Sequence, residues 1–301
     1  MTNIETINSL KQSMPKSIAA IGYGSGIFKQ TGYQENEKPD KDVILVVDDF
    51  KQFLIEDYEI NPEHFSKDFN KNILYKKNEK TNFYNNLGCL KLNHNGIHFK
   101  VMVVSKSALE YDLKTWKYFG MAGRLSKPIL YQDIPADLEK AIIKNRENML
   151  ITSLLLNSED KLNKIKLYET ISKITYLYDF RTIFHAEKKT KSSDIVGGSL
   201  QFFENEYGEN PIVKINDDIV YNTHPIELID SLPSNLKNTI YSEFNKKPVT
   251  SYEELSQIIE NYFKKTNFTN SIRFALSSGA ILGVKGSAQH VLQKFKKASS
   301  R

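Results

Sequence analysis

Two short segments of the chain carry residues able to handle a nucleoside triphosphate. The first reads Gly22-Tyr23-Gly24-Ser25-Gly26-Ile27-Phe28-Lys29-Gln30, and the second, about a dozen residues later, reads Asp42-Val43-Ile44-Leu45-Val46-Val47-Asp48-Asp49. Glycines let backbone N–H groups close on phosphate oxygens, and the Ser25 hydroxyl adds a donor. A triphosphate also calls for Mg²⁺, a hard cation held by one or two carboxylates together with phosphate oxygens and water. Asp42, at the mouth of an apolar strand, supplies such a carboxylate. The Gly-Ser-Gly turn taken alone reads equally well as a tight turn. With the acid-led strand beside it, the pair points to chemistry on a nucleotide.

The elements that must position these residues show in the periodicity. Ser17 to Tyr23, Val43 to Val47, Leu87 to Leu92 and Ile97 to Val104 are short, apolar or β-rich runs bounded by Gly, Asn or charged residues, as strands are. Asn93-His94-Asn95-Gly96 joins the last two and signals a hairpin, because Asn-Gly favours the positive φ of a tight turn. From Ile134 the pattern becomes helical: Asp137–Leu156, Asp160–Leu177 and Tyr252–Lys265 repeat apolar residues at three- and four-residue spacing. The expected architecture is an α/β nucleotidyltransferase-like domain over 1–135, a mainly helical domain over 136–263, and a basic amphipathic C-terminal helix over 264–301.

With 301 residues, 40% of them hydrophobic, the chain has enough material for two cored domains. A single cysteine, Cys89, excludes an internal disulfide and a cysteine-based zinc site. No stretch has the length and apolarity of a membrane-spanning helix, and Met1 to Ser17 lacks a signal-peptide core. The expectation is a cytoplasmic protein. Its net charge of +5 is uneven, since Lys264, Lys265, Arg273, Lys285, Lys294, Lys296, Lys297 and Arg301 follow one another without an intervening acid.

Taken together, the segments resemble the mitochondrial-type phosphatidate cytidylyltransferases, also called the translocator assembly and maintenance family. The likeness runs through Tyr23 to Gln30, Asp42 to Asp49 and Asn61-Pro62-Glu63-His64-Phe65-Ser66. It continues in Phe99-Lys100-Val101-Met102-Val103-Val104-Ser105, Asp112-Leu113-Lys114-Thr115-Trp116 and Ala122-Gly123-Arg124-Leu125-Ser126-Lys127-Pro128. Tyr178-Asp179-Phe180-Arg181 and Glu187 to Val196 complete it. Val101, Met102 and Tyr178 depart from the family pattern, which has Tyr, Gly and Gly there.

The resemblance implies synthesis of CDP-diacylglycerol and pyrophosphate from CTP and phosphatidic acid, with Mg²⁺ as cofactor, by a bacterial-type member working peripherally at the inner face of an anionic membrane. Tyr23, Gly24, Ser25 and Gly26 would hold the nucleotide, Asp42 would ligate the metal, and Lys127, Arg124 and Lys100 would neutralise phosphate charge, as phosphoryl chemistry requires. The usual second strand acid is replaced by Ile44. Asp40, two residues before Asp42, is set aside as part of a loop. A phosphate nucleophile arrives anionic and needs no deprotonation, which fits one acid rather than two.

Secondary candidates are Asp48, which with Asp49 reads most simply as a strand-end turn though it lies on the Asp42 face by alternation; His64, which reads as a loop hydrogen bonder; Asp112, four residues from Trp116 and suited to a core or capping contact; and Asp179 with Arg181, which read as an interdomain ion pair. Lys127 before Pro128 would, without its flanking pattern, read as a solvated lysine at a helix stop. Apolar residues interleaved with the terminal cations suit either a helix in the headgroup region or one packed on the protein with only Lys294, Lys296 and Lys297 in water. Two rivals stand beside this: a soluble nucleotidyltransferase acting on a protein, RNA or small hydroxyl compound, and a nucleic-acid binder using the basic end. The first predicts a second strand carboxylate and the second leaves the Gly-Ser-Gly turn unexplained, so no nucleic-acid partner is expected.

Overall fold

The computed structural model describes residues 1–32, 39–67, 69, 86–157, 159–178, 188–216, 218–221, 226–246, 251–272 and 274. Five strands, β1 (Ala19–Tyr23), β2 (Lys41–Val47), β3 (Leu87–His94), β4 (Ile97–Ser105) and β5 (Ile129–Tyr131), form one sheet in the order β3-β4-β2-β1-β5. Only β2 and β4 run parallel; the other neighbours are antiparallel. β2 and β4 sit inside the sheet and are covered on both faces, which is why they read as unbroken apolar runs.

Alternation sends Ala20, Val43, Leu45, Val47, Val101 and Val103 to one face, where α1 (Asn3–Ser13) and α2 (Phe50–Ile60) cover them. Thr2 and Glu5 close a capping box on α1, and Asp49 caps α2 by accepting from Lys51 and Gln52 N–H. Ala19, Ile21, Ile44, Val46, Met102 and Val104 point to the opposite face and merge with the helical layer.

That layer contains α3 (Lys106–Thr115), α4 (Ala122–Leu125), α5 (Ala136–Leu155), α6 (Lys164–Ile174), α7 (Lys191–Gly198), α8 (Leu200–Phe203), α9 (Ser234–Lys246) and a helix over 252–272, α10. One buried cluster runs from the sheet through Leu138, Leu150 and Ile171 to Leu255, Ile259 and Phe263 of α10. Trp116 is fully buried at its centre, 5.0 Å from Phe119 and 6.1 Å from Phe263 by ring centroids, and its Nε1–H donates to Asn145 Oδ1 at 2.7 Å.

The helical part also holds a three-stranded sheet that periodicity did not signal: β6 (Lys161–Asn163), β7 (Lys214–Asn216) and β8 (Ile219–Tyr221), ordered β6-β8-β7. Strands of three residues carry too little alternation to register in sequence. β6 therefore takes the start of the expected Asp160–Leu177 helix, and Asn163 caps α6 only after it. α10 continues through residue 264 to residue 272, and 275–301 lie outside the described residues. Tyr178, where the family pattern has glycine, takes φ 56°, the left-handed region that favours glycine.

Candidate active site

Register places four polar side chains in one row across one end of the sheet. Tyr23 pairs with Asp42, Asp42 with Lys100, and Lys100 with Lys91. All four therefore share the face that meets the helical layer. The row begins beside the Gly24-Ser25-Gly26 turn, where β1 ends.

The turn is fastened directly onto the acid-bearing strand. Gly24 has φ 75°, and an added Cβ would stand 2.7 Å from Asp42 Oδ2. A Cβ on Gly26 would stand 2.2 Å from the Asp40 carbonyl oxygen. Gly26 is thus required by close approach to backbone, and Gly24 by its conformation. Gly24 O accepts from the N–H groups of Ile27 and Phe28, Lys41 Nζ donates to Gly26 O at 3.2 Å, and Asn3 Nδ2 donates to Ile27 O at 2.8 Å. Beyond the turn, Thr31 N–H donates to Asp194 O and Lys191 Nζ to Gln30 Oε1, which tie the segment to α7. Gly198 at the end of α7 makes room for it, since a Cβ there would lie 2.1 Å from Lys29 O.

Charges around the row are coupled. Lys100 Nζ lies 2.8 Å from Asp40 Oδ2. Burial works against its charged form, but the hydrogen bond to Asp40 and the nearby Asp42 and Asp40 charges prevail and lift its pKa above the lysine value. Asp40 shifts the other way: burial opposes ionisation, and Lys100, with His98 and Lys91 adding to it, holds the carboxyl below the ordinary range. Burial pushes the Tyr23 phenol well above its usual value; Asp42 adds to this and Arg124 opposes it. Cys89, two residues before Lys91 on the same face, is pushed up to about 11 by burial and by Asp42, so its thiol is neutral near pH 7.

Arg124 reaches the row from α4. Its position depends on a loop organised by Asp112, which is fully buried and accepts four backbone N–H bonds, from Tyr118, Phe119, Met121 and Ala122 at 2.8–3.2 Å. Trp116 and Phe119 in this loop both take φ 55°. The Arg124 guanidinium donates to Gly120 O and stands 5.2 Å from the Phe274 ring centroid. Asp112 is therefore a support for Arg124, in line with its reading as a capping contact.

Lys127 stands two residues before Ile129, the partner of Tyr23 in β5, and so at the same end of the sheet. Its amine turns to the helical layer, donating to Thr175 Oγ1 at 2.9 Å and Tyr176 OH at 3.3 Å. Asp48 is not brought to the site. It is exposed past the far end of β2, six residues or roughly 20 Å from Asp42 at about 3.3 Å per residue. His64 follows the bland reading, with Nδ1 3.0 Å from the buried Asp57 carboxylate. Asp179 and Arg181 lie outside the described residues.

Sequence reasoning passed over Lys91 and set aside Asp40. The signal for Lys91 was available: a two-residue Asn95-Gly96 turn fixes His94 opposite Ile97, and counting back by pairs puts Lys91 opposite Lys100. Asp40 was discounted as loop, yet it lies two residues from Asp42 and neutralises Lys100.

Residues 6–297 match the family model described as phosphatidate cytidylyltransferase, mitochondrial. The chain belongs to this family. The protein of that name from Schizosaccharomyces pombe is 31% identical over 216 residues, covering 68% of this chain and 54% of its own length. The Drosophila melanogaster protein is 30% identical over 255 residues, covering 79% of this chain and 72% of that protein. The human protein is 26% identical over 267 residues, covering 85% and 56% respectively. The chain spans about half the length of several of these relatives. Among the described residues, no helix is long and apolar enough to cross a membrane.

Proposed function

We propose that this chain transfers the cytidylyl group of CTP to the phosphate of phosphatidic acid, forming CDP-diacylglycerol and releasing pyrophosphate. The observation that carries the reading is the packing of the Gly24–Gly26 turn against Asp42 in a row continued by Lys100, with Arg124 alongside. A phosphate cradle, a carboxylate and cations then meet at one end of a nucleotidyltransferase-like sheet.

The donor set fits Mg²⁺. In this reading the protein contributes one or two oxygens, Asp42 first, and substrate phosphates and water the remainder. That is an ordinary complement for Mg²⁺, which when bound neutralises the charge gathering on the phosphates. The chain's own residues do the positioning. The turn holds the triphosphate against β2, and Lys100 and Arg124 offset charge as pyrophosphate leaves. Ile44, next after Asp42 on the same face, is fully buried in the core, so the strand carries no second acid there. The attacking lipid phosphate, already anionic, requires no base at that position. Access to the lipid is peripheral, at an anionic membrane surface; Phe268 and Ile272, one turn apart on α10 and about 40% exposed, are apolar groups available for it.

Asp42→Asn is the direct test. With α-labelled CTP, Mg²⁺ and phosphatidic acid, the variant is expected to lose at least a thousandfold of the label transferred to the organic phase while its thermal midpoint stays near that of the unaltered chain. Retained Mg²⁺-dependent transfer would overturn the role given to Asp42.

A further inference from the structure

Lys91 is a cation for which the site as described has no use. It faces Lys100 directly across β3 and β4, on the same side of the sheet, so two ammonium groups stand opposite each other in a pairing that repels. Lys100 is answered by Asp40 at 2.8 Å. Lys91 makes no ion pair or side-chain hydrogen bond among the described residues, although it is only partly exposed. Burial and the Lys100 charge both press its pKa below the lysine value, with Cys89 and Asp40 opposing them. Cys89, a neutral thiol near pH 7, gives it no counter-charge.

Lys91 also lines a cavity of about 380 Å³ at the end of the sheet, with Asp40, Glu63, His64, Asn93 and His98. Asp40 in that wall is already engaged by Lys100, and the side chains of His98 and Asn93 stand on the same face as Lys91 by register. Lys91 is the residue shared by the cavity wall and the row, two strands or roughly 10 Å from Asp42. An anion lodged there would relieve the repulsion between the two lysines and meet Asn93 and His98 as further donors.

We propose that Lys91 is a second phosphate-binding residue of the active site, taking a phosphate group of one of the two substrates into the cavity beside Lys100. The inference rests on the cytidylyltransferase reading for its substrates. The phosphate could belong to the lipid headgroup or to the nucleotide, and kinetics separates the two.

The test uses the full chain carrying Lys91→Met or Lys91→Arg. Removing a cation that faces another is expected to leave the thermal midpoint of Lys91→Met unchanged or raised. The same variant should show at least a tenfold higher KM for phosphatidic acid if the lipid phosphate sits there, or for CTP if the nucleotide does, and Lys91→Arg should recover most of the loss. Calorimetry with pyrophosphate and with inorganic phosphate should show weaker binding to Lys91→Met than to the unaltered chain. Unchanged KM for both substrates in a folded, active Lys91→Met would overturn the inference about Lys91 alone. If the unaltered chain transfers no label, the cytidylyltransferase reading fails, and equal phosphate and pyrophosphate affinities in the two proteins would then overturn the Lys91 site independently.

Discussion

Gly26→Ala perturbs the junction on which the proposed active site is built while adding only a methyl group. Gly26 does not take positive φ, so the substitution tests packing without backbone strain. The new Cβ would fall 2.2 Å from Asp40 O and 2.8 Å from both Asp40 C and Lys41 Cα, against about 3.4 Å for ordinary contact. All three atoms are backbone, so no rotamer change relieves the clash. The turn must move off β2 by roughly 1 Å, and displacement on that scale costs about a hundredfold in rate, or about 2.7 kcal/mol in the barrier. Overpacking should also cost about 1–3 kcal/mol of stability. Initial rates of label transfer from CTP and a thermal melt read the two effects. Gly96→Ala is the control: Gly96 has φ 77° with nothing within 4 Å of an added Cβ, so only backbone strain of about 1–2 kcal/mol applies and the rate should hold. A Gly26→Ala protein with a rate within threefold of normal and an unchanged melt would refute the close packing of turn on strand.

Two further expectations concern groups outside the reacting centre. Asp112→Ala leaves four buried backbone N–H groups without their acceptor and should cost on the order of 4 kcal/mol in urea unfolding, with lower transfer rates as α4 and Arg124 loosen; a loss below about 1 kcal/mol would contradict the organising role of Asp112. Burial, and then Asp42, push the Cys89 thiol up from its ordinary 9.0 to about 11 in the folded chain, so the unfolded chain loses that proton first. The thiol's contribution to stability is intact below pH 9 and declines between pH 9 and 11, by on the order of 3 kcal/mol in all. Cys89→Ala should show a shallower decline over that range, and parallel pH profiles would contradict the buried thiol.

The parts of the fold legible in sequence were those whose burial repeats over enough residues. β2 and β4, covered on both faces, announced themselves as apolar runs, and Asn95-Gly96 marked the hairpin because its conformation demands those residues. α5 and α10 are long enough for their spacing to show. α1 and α2 were passed over, and so was the contribution of Asn3, which pins the Gly-Ser turn from the far side of β1 through Ile27 O. Within the proposed site, Tyr23, Gly24 and Asp42 could be read because the turn and strand adjoin in sequence. Lys91 and Asp40 gain meaning only through cross-strand register and an ion pair, and the support Asp112 gives Arg124 depends on a loop held by tertiary hydrogen bonds. Asp48 shows the limit of alternation, which assigns a face but not an end of the strand.

In the proposed function, one end of the sheet activates CTP for attack by a lipid phosphate. Incubating the full chain with α-labelled CTP and Mg²⁺, in parallel with phosphatidic acid vesicles and with tRNA, and then extracting into organic solvent, tests it most directly. Label that enters the organic phase only with phosphatidic acid, with pyrophosphate released in equal amount, is the predicted result. Label that stays aqueous with the lipid and accumulates on tRNA would contradict the claim and make the chain a nucleotidyltransferase of a different acceptor.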